Sequence, residues 1–201
     1  MANYGDPEYW DDRYEKAGGS ASFDWLESYF SLKTLIERFC PDKEARILVL
    51  GCGNAEFSED MYDDGYHNIV NVDISDVVIK QMKARNMEQR PLMTWITLDV
   101  TQMEDNIKSN TFDFVVDKST LDALLCGDDS FLKMAQMLKE TQRVLKTNGN
   151  YFAISYGKPE SRSFHFDQPF LSFENREFIL YDQNCQTEEE KSEKSHYIYV
   201  S

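Results

Sequence analysis

The sequence lacks the residues from which metal centres, disulfide frameworks and membrane spans are built. Its 201 residues include four cysteines and three histidines, all widely spaced and without a CxxC pair. We therefore predict neither a disulfide framework nor a metal site. No apolar run reaches the roughly 18 residues that a transmembrane helix needs. The first residues have neither the apolar segment of a secretion signal nor the arginine-rich pattern of a transit peptide. We expect no membrane association and a cytoplasmic location.

Basic residues are scarce as well. Lys and Arg number 21 against 36 Asp and Glu, and the formal net charge is −15. Because no Lys/Arg cluster interrupts this acidity, the surface would repel a phosphate backbone, and we expect no nucleic-acid partner. The same field favours a basic protein partner, although acidity can also serve solubility alone. We expect the chain to act as a monomer.

Internal repeats and Pro/Gly/Ser-rich linkers are absent too, and one domain is predicted over residues 1–201. Short apolar runs alternate with helical patterns, which is typical of an α/β fold with a parallel sheet covered on both faces. We predict a Rossmann-like, doubly wound sheet of seven strands, mostly parallel with an antiparallel terminal strand. The predicted strands are 47–50, 68–72, 94–98, 112–116, 151–155, 177–181 and 196–200.

The helical patterns divide the chain further. An N-terminal helical cap or lid (1–45) precedes a core (46–157), and a terminal strand pair (158–201) encloses an acidic loop at 186–194. In the cap we predict one helix around Tyr9, Trp10 and Tyr14 and a second over 25–39. In the core, Ser75 or Asp76 is a candidate N-cap. Another helix carries Phe131, Met134, Ala135, Leu138 and Leu145 on one face and ends at Asn148-Gly149.

The strongest local motif is Gly51-Cys52-Gly53, directly after a predicted strand and before a helix. Glycines there allow a sharp turn and a close approach of the backbone to a ligand. Asp73 ends the next strand about 20 residues later and can accept hydrogen bonds from the ribose of an adenosine cofactor. Dinucleotide binding requires a small third residue beside the pyrophosphate, but Glu56 stands there. The pattern therefore favours S-adenosylmethionine, a sulfonium cation, over NAD.

Asp99 and Val100 end the third predicted strand at the same edge of the sheet. The Asp99 carboxylate could accept a hydrogen bond from the adenine amine, and the Val100 N–H could bond the ring. The alternative is that Asp99 only caps the following turn, which is a common use of Asp.

Four motifs in order resemble one family: YWDDRY…FDW in the N-terminal cap (1–45, called the leader below), GCGN, the acidic strand end at Asp73, and DKSTLDAL from Asp117. Over about residues 4–157 the chain is similar to the seven-strand (class I) lysine methyltransferases of translation elongation factor 1-alpha. The similarity is to the type related to the endothelin-converting-enzyme-associated methyltransferase domain. The resemblance implies a protein lysine N-methyltransferase, with Trp10, Tyr14 and Trp25 closing over S-adenosylmethionine. It also implies Gly51 and Gly53 at the methionine part, Asp73 and Ile74 at the ribose, Asp99 and Val100 at adenine, and Lys118 beside the site.

Three positions depart from the family pattern. Val49 stands where an acidic residue is common, Ala55 stands in place of a third glycine, and Ser119 follows the lysine in place of glycine. We predict Asp117 and Asp122 as catalytic carboxylates on the acceptor side. No NPPY-like tetrad follows the fourth strand, which argues against a nucleic-acid base as acceptor. A small molecule or another protein as acceptor stays open, and so does a non-catalytic cofactor-binding scaffold.

Overall fold

Strand β1 lies near the middle of the sheet because its four residues, Ile47–Leu50, are all apolar and all buried. Its side chains alternate between two hydrophobic clusters. Ile47 and Val49 pack with a cluster that includes helical residues between 14 and 82, whereas Leu48 and Leu50 pack with a cluster that includes helical residues between 121 and 166. The sheet is therefore covered by helices on both faces, as the continuous apolar run predicts.

The computed structural model describes residues 4–174, 176–180, 187 and 195–201. The predicted acidic loop 186–194 lies, except for Thr187, outside the described residues, and so does Tyr181. No helix in the described part of the chain is both long and apolar enough to cross a membrane. The helices and strands are α1 (Pro7–Ala17), α2 (Tyr29–Phe39), β1 (Ile47–Leu50), α3 (Phe57–Asp63), β2 (Ile69–Asp73), α4 (Asp76–Asn86), β3 (Thr94–Thr97), β4 (Phe112–Lys118), α5 (Thr120–Leu125), α6 (Ser130–Val144), β5 (Leu145–Ser155), α7 (Pro159–Phe166), β6 (Arg176–Leu180) and β7 (His196–Val200).

The strands form one sheet in the order β3-β2-β1-β4-β5-β7-β6. Strands β1 to β5 are parallel, and β7 runs antiparallel to both β5 and β6. This confirms the predicted doubly wound, mostly parallel sheet of seven strands. After β3 at one edge the chain returns to the centre at β4, so the strand order reverses between β1 and β4. A ligand crevice is expected outside the carboxyl ends of these two strands.

Two helix ends differ from the prediction. Helix α6 ends at Val144, and Leu145 already belongs to β5, where it pairs with Phe112. Asn148-Gly149 is therefore part of an irregular strand start and does not stop the helix, because sheet pairing overrides the local stop signal. Phe131 is exposed although the pattern assigned it to the apolar face. Helix α2 begins after Ser28, whose side chain accepts a hydrogen bond from Ser31 N, and not near residue 25.

Candidate functional site

A cavity of about 270 Å³ opens at the carboxyl ends of β1, β2 and β4, at the point where the strand order reverses. Its wall combines the turn after β1, the residues that follow β2, β3 and β4, and aromatic side chains from the leader. All ten residues predicted to bind the cofactor lie in this one wall: Trp10, Tyr14, Trp25, Gly51, Gly53, Asp73, Ile74, Asp99, Val100 and Lys118. Their contacts with a cofactor stay a prediction.

The turn after β1 needs its glycines. Gly51 and Gly53 both have φ of 54°, a left-handed conformation that side chains disfavour. A Cβ on Gly51 would lie 2.1 Å from Thr120 Oγ1, and one on Gly53 would lie 2.9 Å from the Tyr14 hydroxyl. Thr120 Oγ1 donates to Leu50 O at 2.9 Å, which packs the start of α5 onto the turn. Both glycines are therefore required by the protein's own packing.

Asp73 joins the glycine turn to the start of α4. Its carboxylate accepts hydrogen bonds from Gly53 N at 2.9 Å and from Ser75 N at 3.0 Å. Burial raises the pKa of Asp73 to about 6, and the nearby Asp11 adds to the shift. A carboxylate offers about four acceptor positions, so two remain for hydroxyl donors from a ligand.

Asp99 caps the turn after β3, which was the alternative role considered from the sequence. Its Oδ1 accepts from Thr101 N at 2.8 Å and from Thr101 Oγ1 at 2.7 Å, which closes the turn after β3. The side chain also lies in the cavity wall. Capping uses only one of its two oxygens, so the turn and a ligand contact are compatible.

Four leader rings form an aromatic group at the cavity. Trp10 stacks on Tyr14 with ring centroids 5.8 Å apart, and Trp10 Nε1 donates to Tyr4 O at 2.8 Å. Tyr4 meets Trp25 edge to face at 6.0 Å. The Arg13 guanidinium lies 5.4 Å from the Trp25 ring centroid. Stacked and edge-to-face rings of this kind hold one another at fixed angles.

The leader is fastened to the core by hydrogen bonds. The Asp11 carboxylate accepts from Ser75 Oγ at the start of α4, and Gln81 Nε2 donates to Tyr14 O at 3.1 Å. Further along, Asn54 Nδ2 donates to Ala21 O at 3.1 Å. The leader is thus a fixed part of the cavity wall in this structure.

Lys118, at the end of β4, connects the leader to the sheet. Its ammonium is paired with Asp24 and donates to Trp25 O at 2.9 Å. Only 8% of its side chain is exposed. Burial lowers the pKa of Lys118, and the Asp24 carboxylate opposes this shift. This pairing fixes the position of Trp25 at the cavity.

The two predicted acceptor-side carboxylates have other partners. Asp117 is fully buried, does not line the cavity, and accepts from Thr120 N at 2.8 Å and Tyr151 Oη at 2.8 Å. Burial raises the pKa of Asp117 to about 7. Its carboxylate caps the start of α5, and its acceptor-side role stays a prediction. Asp122 does line the cavity, but its carboxylate is paired with Arg162 at 2.8 Å.

Sequence reasoning missed several wall residues. Tyr4 precedes the leader motifs, Phe23 is the first residue of the FDW motif but was not assigned to the site, and Val49 precedes the glycine turn. Tyr156 follows β5 directly, and its place after an apolar run at the carboxyl edge was a signal that could have identified it. Arg162, the partner of Asp122, comes from α7 and had no sequence signal.

Comparisons with known proteins agree with this geometry. A family model described as a methyltransferase domain matches residues 48–153. The eEF1A lysine and N-terminal methyltransferase of Mus musculus is 43% identical over 154 residues, which are 76% of this chain and 22% of that protein. The EEF1A lysine methyltransferase 4 of Mus musculus is 34% identical over 82% of this chain and 66% of that protein. The chain thus spans about a fifth of the first relative's length.

Two solved structures share the fold. A protein of Pyrococcus horikoshii is 22% identical with a TM-score of 0.59, over 81% of this chain and 67% of that chain. A SAM-dependent methyltransferase of Methanosarcina mazei is 13% identical with a TM-score of 0.59, over 83% of this chain and 95% of that chain. At these identities the likeness concerns the fold alone.

Proposed function

Because the chain belongs to the methyltransferase domain family, we propose that it methylates a lysine side chain of a basic protein, elongation factor 1-alpha. The observation that carries the proposal is that all ten predicted cofactor-binding residues lie in the wall of one cavity, at the strand-order reversal. Membership of the family confirms the predicted methyltransferase, and with it S-adenosylmethionine as the cofactor.

The cavity fits this cofactor. Gly51 and Gly53 let the turn pack tightly against Thr120 and Tyr14, so its backbone forms part of the cavity wall. Asp73 retains acceptor positions for ribose hydroxyls, and the leader rings offer faces to adenine and to a sulfonium cation. Glu56 is the N-cap of α3 and is exposed, so a carboxylate stands where a dinucleotide would need a helix N-terminus free for pyrophosphate.

We expect different wall residues to contact different parts of the cofactor, as the family resemblance implies. Gly51 and Gly53 would lie under the methionine part, and Lys118 beside it. Asp73 and Ile74 would hold the ribose, and Asp99 and Val100 would hold adenine. The leader residues Trp10, Tyr14 and Trp25 would cover the cofactor and exclude water, which strengthens every polar contact within the cavity.

When bound, S-adenosylmethionine supplies an activated methyl group for in-line displacement by a nucleophile. The protein's part is to align the acceptor nitrogen and to exclude water. A lysine acceptor must first lose its proton from Nζ to solvent, because the ammonium has no free electron pair. An aromatic, water-poor cavity lowers the pKa of an entering ammonium by desolvation. This environment can promote deprotonation without a dedicated carboxylate, since Asp117 is buried elsewhere and Asp122 is paired with Arg162.

Two observations support the choice of substrate. The relatives that cover most of this chain carry names that refer to eEF1A and lysine. The formal net charge of −15 favours encounter with a positively charged protein. The predicted cytoplasmic location and monomeric state stay predictions.

The test is incubation of the purified protein with recombinant elongation factor 1-alpha and methyl-labelled cofactor, followed by mass-spectrometric mapping. We expect label on lysine, and about tenfold less, or lower still, with the variant Asp73→Ala at limiting cofactor, because its affinity for the cofactor is reduced. Label that appears only on a small molecule or on nucleic acid would contradict the proposed acceptor. Absence of transfer to every component of a cell extract, with intact cofactor binding, would indicate a non-catalytic scaffold.

A further inference from the structure

Tyr156 is an exposed aromatic residue at the cavity that belongs to none of the predicted cofactor contacts. It follows β5 directly, lines the cavity wall and is 55% exposed. It stands at the end of the strand beyond β4, one strand removed from the reversal between β1 and β4. An exposed ring at this position is available to a second molecule entering the cavity.

The backbone around Tyr156 is held by several hydrogen bonds. Tyr156 N donates to Asp122 Oδ2 at 3.1 Å, and Gly157 N donates to Ser155 Oγ at 2.9 Å. The Tyr199 hydroxyl donates to Gly157 O at 2.6 Å. These three hydrogen bonds therefore fix the backbone that carries the exposed side chain.

A nearly buried ion pair supports this arrangement. The Asp122 carboxylate meets Arg162 Nη2 at 2.8 Å, with only 13% and 16% of the two side chains exposed. Arg162 Nε also donates to Ser155 Oγ at 3.1 Å. The guanidinium crosses so close to Gly157 that an added Cβ would lie 2.2 Å from Arg162 Cζ. Burying such a pair is costly unless it is well hydrogen-bonded, and here it fixes the segment that carries Tyr156.

The ring of Tyr156 is also linked to the leader. Its edge meets the His196 ring at 5.4 Å with an interplanar angle of 88°. His196 Nδ1 lies 2.7 Å from Glu27 Oε1, and Glu27 N donates to Trp25 O at 2.8 Å. A continuous series of contacts thus connects the exposed ring to Trp25, which lies in the part of the same wall where the cofactor is expected.

We propose that Tyr156 contacts the acceptor, and that its ring receives the aliphatic stem and the ammonium of the entering lysine. An aromatic face attracts an alkylammonium and packs against its aliphatic stem, so the ring holds the entering lysine at the cavity before Nζ loses its proton to solvent. Preorganisation by the Asp122–Arg162 pair and by the His196–Glu27 pair reduces the ordering needed when the acceptor binds. Glu27 and His196 are positioning residues in this arrangement. The inference rests on the proposed lysine methylation and names a residue that recognises its substrate.

Three substitutions at Tyr156 test the contact, with elongation factor 1-alpha as the acceptor. We expect Tyr156→Ala and Tyr156→Leu to raise the KM for the acceptor about tenfold, because both remove the aromatic face. Tyr156→Phe keeps the face and should stay within about twofold of the wild type. Affinity for S-adenosylhomocysteine, measured by calorimetry, should be unchanged in all three. The matched control is Phe30→Ala, which removes an exposed ring on α2 outside the cavity wall.

Because Tyr156 is exposed, these variants should fold, and equal thermal midpoints will establish that they do. For the positioning role, Glu27→Ala should raise the acceptor KM with little change in kcat, and Glu27→Gln, which keeps a hydrogen bond to His196, should restore it. Lysine methylation that is unimpaired in Tyr156→Ala overturns the inference alone. An equal loss of S-adenosylhomocysteine affinity reassigns Tyr156 to the cofactor and also overturns it. A wild-type protein that labels no lysine overturns the proposed function, and the inference that rests on it fails too.

Discussion

At the scale of single residues, the Asp73 carboxylate has two roles: it accepts hydrogen bonds within the protein, and we expect it to bind the cofactor. It accepts hydrogen bonds from Gly53 N and Ser75 N, which holds the glycine turn against α4. Burial raises its pKa to about 6, so keeping it ionised at neutral pH opposes folding. A cationic cofactor with two ribose hydroxyls would compensate that cost. A buried carboxylate that opposes folding is expected at a site where binding requires its charge.

Asp73→Asn should therefore weaken binding of S-adenosylhomocysteine about tenfold or more, because a neutral amide replaces charge-assisted hydrogen bonds worth about 1.5 to 3 kcal/mol. Isothermal calorimetry measures the affinity, and circular dichroism checks that the variant folds. Asp76→Asn, on exposed Asp76 in the first turn of α4 and outside the cavity wall, is the matched control. Unchanged affinity in folded Asp73→Asn would remove Asp73 from the site.

Ser119 has a backbone conformation that is unusual for serine. It has φ of 68° and ψ of 7°, which is left-handed, at the position where the family commonly has glycine. Its hydroxyl donates to Asp122 Oδ2 at 3.2 Å. A left-handed conformation costs a residue with a Cβ about 1 kcal/mol relative to glycine.

Among variants that lose this hydroxyl, Ser119→Gly should be more stable than Ser119→Ala by about 1 kcal/mol, because only glycine relieves the strain. Urea unfolding of both variants measures the difference. Equal stabilities, or a more stable alanine variant, would contradict the strain inferred from the φ value.

At the scale of elements, the leader connects the cofactor side of the cavity to the rest of the fold. From residue 4 onward, where the structure describes it, the leader contributes no strand to the sheet. Tyr14 is nevertheless buried in the core cluster, and Trp10 packs against it. Helix α1 is tied to α4 through Asp11 and Ser75, and the following loop is tied to β4 through Lys118. The leader thus closes the cavity without taking part in strand pairing.

Deletion of residues 1–25 should abolish binding of S-adenosylhomocysteine and leave a largely folded, less stable core. The physical reason is that deletion removes Trp10, Tyr14 and Trp25 from the wall but breaks no strand ladder. Far-ultraviolet circular dichroism and calorimetry measure the two properties. Asp11→Ala, which cuts one tie of α1, should weaken binding less. A truncated protein that binds normally would exclude a covering role for the leader.

At the scale of the whole molecule, stability should depend on pH through a buried carboxyl group. Burial raises the pKa of Asp117 from 3.8 to about 7, so the folded state binds this proton more tightly than the unfolded state does. The contribution is favourable at acid pH and is lost as pH rises through about 7.

Between pH 6 and pH 8, the free energy of unfolding of Asp117→Asn should therefore rise relative to that of the wild type by about 1 kcal/mol. Only the wild type must ionise a buried group over that interval, and other titrating residues cancel in the comparison. Any constant cost of lost hydrogen bonds to Asp117 leaves this slope unaffected. Urea unfolding at several pH values gives the difference, and parallel pH profiles would disprove it.

The molecule's overall acidity makes a further prediction for the proposed substrate. The net charge of −15 should speed encounter with a basic protein, and salt screens this attraction over a Debye length of about 8 Å at physiological ionic strength. We expect kcat/KM for elongation factor 1-alpha to fall as salt rises, with a smaller change in kcat. Initial rates at limiting acceptor measure this effect. A kcat/KM independent of salt would show that net charge does not govern encounter.

From the sequence alone, the seven strands of the sheet and ten residues of the cavity wall could be predicted. Apolar runs such as 47–50 predict buried strands, and the residues just after parallel strands must gather at one edge of the sheet. Gly51, Asp73, Asp99 and Lys118 could therefore be assigned to one site from the sequence, because each position depends only on local pattern and on that rule.

The partner that each side chain contacts depends on the tertiary structure and could not be predicted from the sequence. Asp117 and Asp122 lie close together in the chain and are the same residue type, yet one is buried against Tyr151 and the other is paired with Arg162, 40 residues away. The end of α6 was likewise decided by pairing of Leu145 with Phe112. Periodicity is a local property, whereas pairing, burial and pKa depend on residues distant in the chain. The residues that support Tyr156 therefore became visible only in the folded molecule.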